Sequence, residues 1–241
     1  MHDELIRKHE GRVTRLTLNR PQKANALSAS LVEGLLNAVE YAYTDGTRLL
    51  IVDGAGAHFC AGFDFGNYHE SSDGELALRL VRIEILLQQL YHAPFETLAL
   101  AHGSNFGAGV DLVASCGLRV AAPQTSFRMP GLRFGVVLGT RRLSQRIGSD
   151  RAREILSTSR SFDAEEALRI GFLTSIHAQA DWPAVMDKTR SDCEHLTPSA
   201  AAALRRQTVI DTRADDLAAL VHSVSTPGLK ERVRLFREHK A

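Results

Sequence analysis

The sequence predicts an α/β fold. Three observations carry this: short, largely apolar strand-like runs at residues 49–52 and 95–101, glycine-rich turns directly after them, and amphipathic helical stretches after the turns. Two alternating β segments, residues 5–9 and 13–18, open the chain, and Glu10-Gly11-Arg12 between them reads as a hairpin turn. Asn19-Arg20-Pro21 breaks the second strand. A helix follows from about Ser28, with Leu31, Leu35, Leu36 and Val39 on one stripe. Residues 48–53 (Arg-Leu-Leu-Ile-Val-Asp) form a strand apolar on both faces, ending in the Gly54-Ala55-Gly56 loop. Residues 75–91 are the clearest helix: Leu76, Leu80, Ile83, Leu87 and Leu90 recur at helical spacing, with Arg79, Arg82 and Glu84 between them. A third strand, 95–101, runs into a second glycine loop, 103–109, from which a helix starts that stops near Cys116-Gly117. Residues 118–122 form another strand, closed by Pro123. From Thr140 onward the chain is expected to be helical. Asp163 and Glu166 start one helix that Gly171 stops, Thr197-Pro198 starts another, and residues 229–238 form the last. The expected division is an α/β body over residues 1–185 and a helical region over 186–241.

Composition excludes several classes. Of 241 residues, 29 are Lys or Arg and 28 Asp or Glu, a formal charge of +1, so no electrostatic case exists for nucleic acid or an anionic membrane as main partner. With 44% hydrophobic and 24% charged residues the chain is ordinary globular material. No apolar run approaches the roughly 20 residues of a membrane helix. The first five residues carry two acids and no apolar core segment, which does not read as a signal peptide. Cys60, Cys116 and Cys193 cannot all pair, and neither they nor the ten scattered histidines follow a metal-ligand spacing, so no metal is expected. A cytoplasmic location is the expectation.

The informative stretches are Phe59-Cys60-Ala61-Gly62-Phe63-Asp64 and Gly103-Ser104-Asn105-Phe106-Gly107-Ala108-Gly109-Val110-Asp111. Each follows an apolar strand. In the second, small residues precede a helix whose leading amides have no intrahelical partner and sit at the positive end of its dipole. This offers anion binding, or stabilisation of an oxygen that becomes negative during a reaction; a plain tight turn is the alternative. Neither loop fits a dinucleotide fingerprint or a nucleotide P-loop.

These loops, together with Leu16-Thr17-Leu18-Asn19-Arg20-Pro21, Asn25-Ala26-Leu27, Ala164-Glu165-Glu166-Ala167-Leu168 and Gly171-Phe172-Leu173, resemble in order the enoyl-CoA hydratase/isomerase (crotonase) superfamily. The similarity runs over nearly the whole chain. It implies a spiral of ββα units, a C-terminal helical region used for trimerisation, often as a dimer of trimers, and an acyl-CoA substrate carried as a coenzyme A thioester with no bound cofactor. The resemblance also implies that the amides of Phe63 and Ala108 hold the thioester oxygen, and that Lys23, Ala24, Ala26, Ala61 and Asp64 contribute to CoA binding.

The chain departs from that pattern. Hydratases of the family carry two glutamates at the substrate double bond. The first position is Asp111 here, and the second, after Phe127-Arg128-Met129-Pro130, is Gly131; the glycine-rich segment that follows is short, Val136-Val137-Leu138-Gly139-Thr140. Syn hydration ordinarily shares its proton transfers between two carboxyls, whereas one carboxyl suffices to move a proton between carbons of an enolate. Asp111 is therefore either the catalytic acid–base or an acid that complements its helix dipole and pairs with an arginine such as Arg128. Tyr68, His69 and Glu70 are further candidates for a base, against exposed loop residues; Arg128 and Arg133 are candidates for holding a polar acyl group, against surface charges. Three functions stay open: isomerisation or hydration of an enoyl-CoA, hydrolysis or decarboxylation of a CoA ester, and a catalytically impaired acyl-CoA-binding homologue.

Overall fold

The computed structural model describes residues 3–238. Met1 and His2, part of the stretch read for a targeting signal, lie outside the described residues. The chain runs through β1 (Leu5–Glu10), β2 (Val13–Leu18), α1 (Ala29–Ala42), β3 (Leu49–Gly54), α2 (Asp73–Tyr91), β4 (Glu96–Ala101), β5 (Ser104–Phe106), α3 (Ala108–Ala114), β6 (Leu118–Ala121) and β7 (Ser126–Arg128). It continues through α4 (Thr140–Ile147), α5 (Ser149–Thr158), β8 (Ser161–Asp163), α6 (Ala164–Arg169), β9 (Ser175–Ile176), α7 (Trp182–Cys193), α8 (Pro198–Thr208), α9 (Arg213–Ser225) and α10 (Leu229–Glu238).

The first hairpin pairs antiparallel from Leu5↔Leu18 to Glu10↔Val13. From β2 onward the large sheet is parallel, in the order β1-β2-β3-β4-β6-β9. Its central strands read as unbroken apolar runs because both faces are covered. Leu50, Val52, Ala99 and Ala101 face the main core with α1 and α3, while Leu49, Ile51, Leu98 and Leu100 pack with Trp182 at the start of α7. The period-2 alternation of a strand divides one sequence between two cores.

Local chemistry sets the helix starts. The Ser28 hydroxyl accepts the Leu31 amide at 3.1 Å. α2 begins two residues earlier than Glu75, behind a capping box in which Ser72 and Glu75 each satisfy the other's backbone amide. Asp163 and Thr197 cap α6 and α8 as their sequence positions suggest.

Two expectations are corrected. The chain after Thr140 is not wholly helical, since it includes β8 and β9; and the second loop contains β5, which pairs with β7 in a second sheet ordered β5-β7-β8. These strands have two or three residues, too few to show a period. The boundary drawn between residues 185 and 186 falls inside α7. Beyond it, α9 and α10 pack against α2, where Leu76, Leu80, Phe134, Leu220, Val224, Val233 and Phe236 belong to a second core cluster.

Candidate active site

Residues 20–27 and 59–64 are knitted together. Ala24 and Asn25 both adopt left-handed backbone, with φ of 47° and 54°. Asn25 holds the turn: its side-chain amide donates to Ala55 O and His58 O, both at 2.8 Å, and its Oδ1 accepts the Arg20 amide. The Ala61 amide donates to Ala24 O at 2.9 Å, and the Arg20 guanidinium donates to both Ala26 O and the Asp64 carboxylate. Ala24, Ala26, Ala61 and Asp64 thus share one bonded unit, with Lys23 exposed at the end of the short 3-10 helix Pro21–Lys23. Burial raises the Asp64 pKa, but the Gly66 amide and Arg20 outweigh it and hold this carboxyl below its ordinary range.

The two glycine loops touch. Phe106 N donates to Cys60 O at 3.2 Å, and a Cβ on Gly62 would stand 2.3 Å from Phe106 O and 3.2 Å from Ala108 N. With φ of +81°, this position excludes L side chains on both counts. The amides of Phe63, next in the chain, and of Ala108, first in α3, have no hydrogen-bond acceptor among the described residues.

Beside them opens a cavity of about 230 Å³. Its walls are apolar, with Phe63, Phe65, Phe134 and Phe236 prominent, and the polar side chains on it are those of Asp111 and Thr140. Asp111 is 2% exposed, and its Oδ1 has no hydrogen-bond partner among the described residues. That oxygen lies against the backbone before α4: a Cβ on Gly139 would be 1.7 Å from it. Burial pushes the Asp111 pKa well above the ordinary carboxylate value; Arg142 offsets part of this and Glu84 adds to it. Gly131 also lines the cavity, and a Cβ there would touch only Val136 O, at 3.2 Å.

A match to the enoyl-CoA hydratase/isomerase family model spans residues 8–225. The chain belongs to the enoyl-CoA hydratase/isomerase family. It is similar to a Bordetella parapertussis protein of known crystal structure, provisionally described as an enoyl-CoA hydratase/isomerase: 49% identity, TM-score 0.96, covering 97% of this chain and 98% of the other. It is also 33% identical to a probable enoyl-CoA hydratase, echA6, of Mycobacterium leprae, over 73% of this chain and 72% of the relative. The enoyl-CoA isomerase/hydratase fer4 of Mycosarcoma maydis is 30% identical over 80% of this chain and 74% of its own. An enoyl-CoA hydratase structure from Bacillus halodurans, at 20% identity and TM-score 0.85, shares the fold.

In this family member the other candidates are dispersed. Arg128 does not pair with Asp111; its Nε donates to Ser159 O at 2.8 Å, so the reading of Asp111 as its ion-pair partner is corrected. Arg133 is exposed, as are His69 and Glu70, whose side chains face each other at 3.6 Å. Tyr68 packs against the second core cluster. Burial raises the thiol pKa of Cys60 and of Cys116 to about 12, so both are inert as nucleophiles at neutral pH.

The residues that sequence reasoning missed are Thr140 and a buried charge cluster. Arg142 donates to both oxygens of Glu84 and, at 3.4 Å, to Asp216, which also accepts from Arg141 and Thr212. Glu84, one of the charges between the apolar positions of α2, is 1% exposed. The signal was present: Glu84 stands four residues after Leu80 and three before Leu87, on the apolar stripe itself.

Proposed function

We propose that the protein isomerises the double bond of an apolar enoyl-CoA, with Asp111 as its single acid–base. The observation that carries this reading is the orphaned carboxyl oxygen of a fully buried aspartate, in the same apolar cavity as two unengaged amides. An ionised Asp111 takes a proton from C2 of a 3-enoyl thioester. The electron pair moves into the carbonyl, and the enolate oxygen accepts hydrogen bonds from Phe63 N and Ala108 N. The carboxyl then returns the proton to C4 as the C2–C3 double bond forms and the carbonyl is restored. Each amide donor of this type is worth about 10²–10³ in rate. Lys23, Ala24, Ala26, Ala61 and Asp64 bind the CoA portion. Net hydration is disfavoured because Gly131 supplies no second carboxyl to hold and deprotonate a water. Decarboxylation of a malonyl-type CoA ester passes through the same enolate, hydrolysis passes through a tetrahedral oxyanion that the same two amides would hold, and both are tested beside isomerisation. The chain works as a homotrimer or a dimer of trimers, in the cytoplasm.

The test is turnover of 2-enoyl, 3-enoyl, dienoyl and malonyl-type CoA esters by wild type and Asp111→Asn, with binding measured by calorimetry. Isomerisation should fall at least about 10³-fold in the variant while CoA-ester affinity stays within a few-fold. Bound esters with no turnover by wild type would leave a non-catalytic binder.

A further inference from the structure

The cavity joins two parts of the molecule. Asp111 and Ala108 sit on α3 in the main core, while Phe134 and Phe236 belong to the second cluster, built by α2, α9 and α10. Phe63 packs against both clusters. From it a run of touching rings leads to α10: Phe63 to Phe65 at 4.9 Å between centroids, Phe65 to Phe134 at 6.0 Å, and Phe134 to Phe236 at 4.9 Å.

The helix that carries Phe236 is fastened at both ends. Asp73, at the start of α2, accepts the amides of Gly228, Leu229 and Lys230 at 2.8–3.1 Å. Arg232 donates to Phe134 O at 2.9 Å and to Ser223 O at 3.1 Å. Arg237 donates to Phe65 O at 3.1 Å and lies over the rings of Phe65 and Tyr68. Phe236 is 9% exposed and pinned between these anchors, and among the described residues Asp111, on α3, is the one acidic or basic side chain that lines the cavity.

We infer that Phe236 sets the length of acyl chain the cavity accepts, restricting the substrate to uncharged apolar acyl groups that end before its ring. This deepens the acyl-CoA reading and rests on it. Packed interiors yield little to an intruding group, so a chain that reaches Phe236 must displace a ring whose backbone is tied down on both sides. Up to that point each buried methylene strengthens binding about fourfold, and beyond it the gain stops.

The experiment is calorimetric titration with saturated acyl-CoAs of increasing chain length, which bind without reacting. Wild type, Phe236→Ala, Phe236→Leu and Phe236→Trp are compared, each checked for folding by circular dichroism. Wild-type affinity should climb with chain length and then break. The break should move to longer chains in Phe236→Ala and Phe236→Leu, with at least tenfold tighter binding of the first chain beyond the wild-type limit in Phe236→Ala. It should move to shorter chains in Phe236→Trp, which keeps a direction to test if the smaller side chains unfold the protein. A break at the same length in every folded variant, or affinities that fall equally for all chains, would overturn the role of Phe236 and leave the acyl-CoA reading intact. Absence of binding of any acyl-CoA to folded wild type would overturn both.

Discussion

Taking the Asp111 carboxyl out of water disfavours its charged form, and the Arg142 guanidinium recovers only part of that cost. The consequence for activity has a definite sign. Proton abstraction needs the ionised carboxylate, so kcat/KM for isomerisation should rise with pH through an inflection well above the ordinary aspartate value of about 3.9. Asp111→Asn should lack that inflection; a pH-independent wild-type rate from pH 5 to 9 would remove Asp111 from the proton transfer. Stability runs the other way. With the folded-state pKa raised, the native chain holds its proton more tightly than the unfolded one, a contribution present below the unfolded value and lost as pH rises through the folded one. Asp111→Asn should therefore gain thermal stability relative to wild type as pH rises across this window, read as a difference in Tm. The position of Asp111 in a first helical turn was legible in the sequence. The sign of its pKa shift was not, because dipole and desolvation oppose each other and only burial decides between them.

Three helices from distant parts of the chain meet at Arg142. α4 supplies the guanidinium, α2 supplies Glu84 and α9 supplies Asp216, all buried. A buried pair of this kind is weak evidence of net stabilisation, but breaking it leaves the Glu84 carboxylate buried with the Gln88 amide in place of its counter-charge. Arg142→Met should cost about 3–5 kcal/mol in chemical denaturation, and the Arg142→Met/Glu84→Leu pair should recover a large part of that loss. Equal losses in the single and double variants would show that packing, not charge, dominates at this junction. The amphipathic stripe of α2 is plain in its leucines, and Glu84 reads there only as a charge lying between them. Its partner lies 58 residues away, and no local pattern marks which charge will be met by another.

The cavity exists because two core clusters, one formed around the sheet and one by α2 with the C-terminal helices, meet without filling the seam. None of the described helices is long and apolar enough to cross a membrane. Large apolar side chains remain on the outside near α8: Leu204 is 53% exposed and Ile210 65%. Such surface suits burial between subunits. Sedimentation velocity should give a mass three or six times that of one chain, and a monomer at micromolar concentration would refute that part of the proposal.

The sequence alone determined the α/β alternation, the caps of α6 and α8, the two glycine loops as the place of interest, and the resemblance to the family, because each is written in local spacing or in ordered motifs. It also placed Gly131 at the position where the family resemblance leads one to expect a second acid. Tertiary structure decided that Asp111 is buried, that Arg128 bonds Ser159 instead of pairing with it, that Glu84 meets Arg142, and that α10 brings Phe236 onto the cavity wall. Those outcomes depend on which distant segments pack together. Burial and long-range charge pairing are properties of the assembled core, carried by no single stretch of chain.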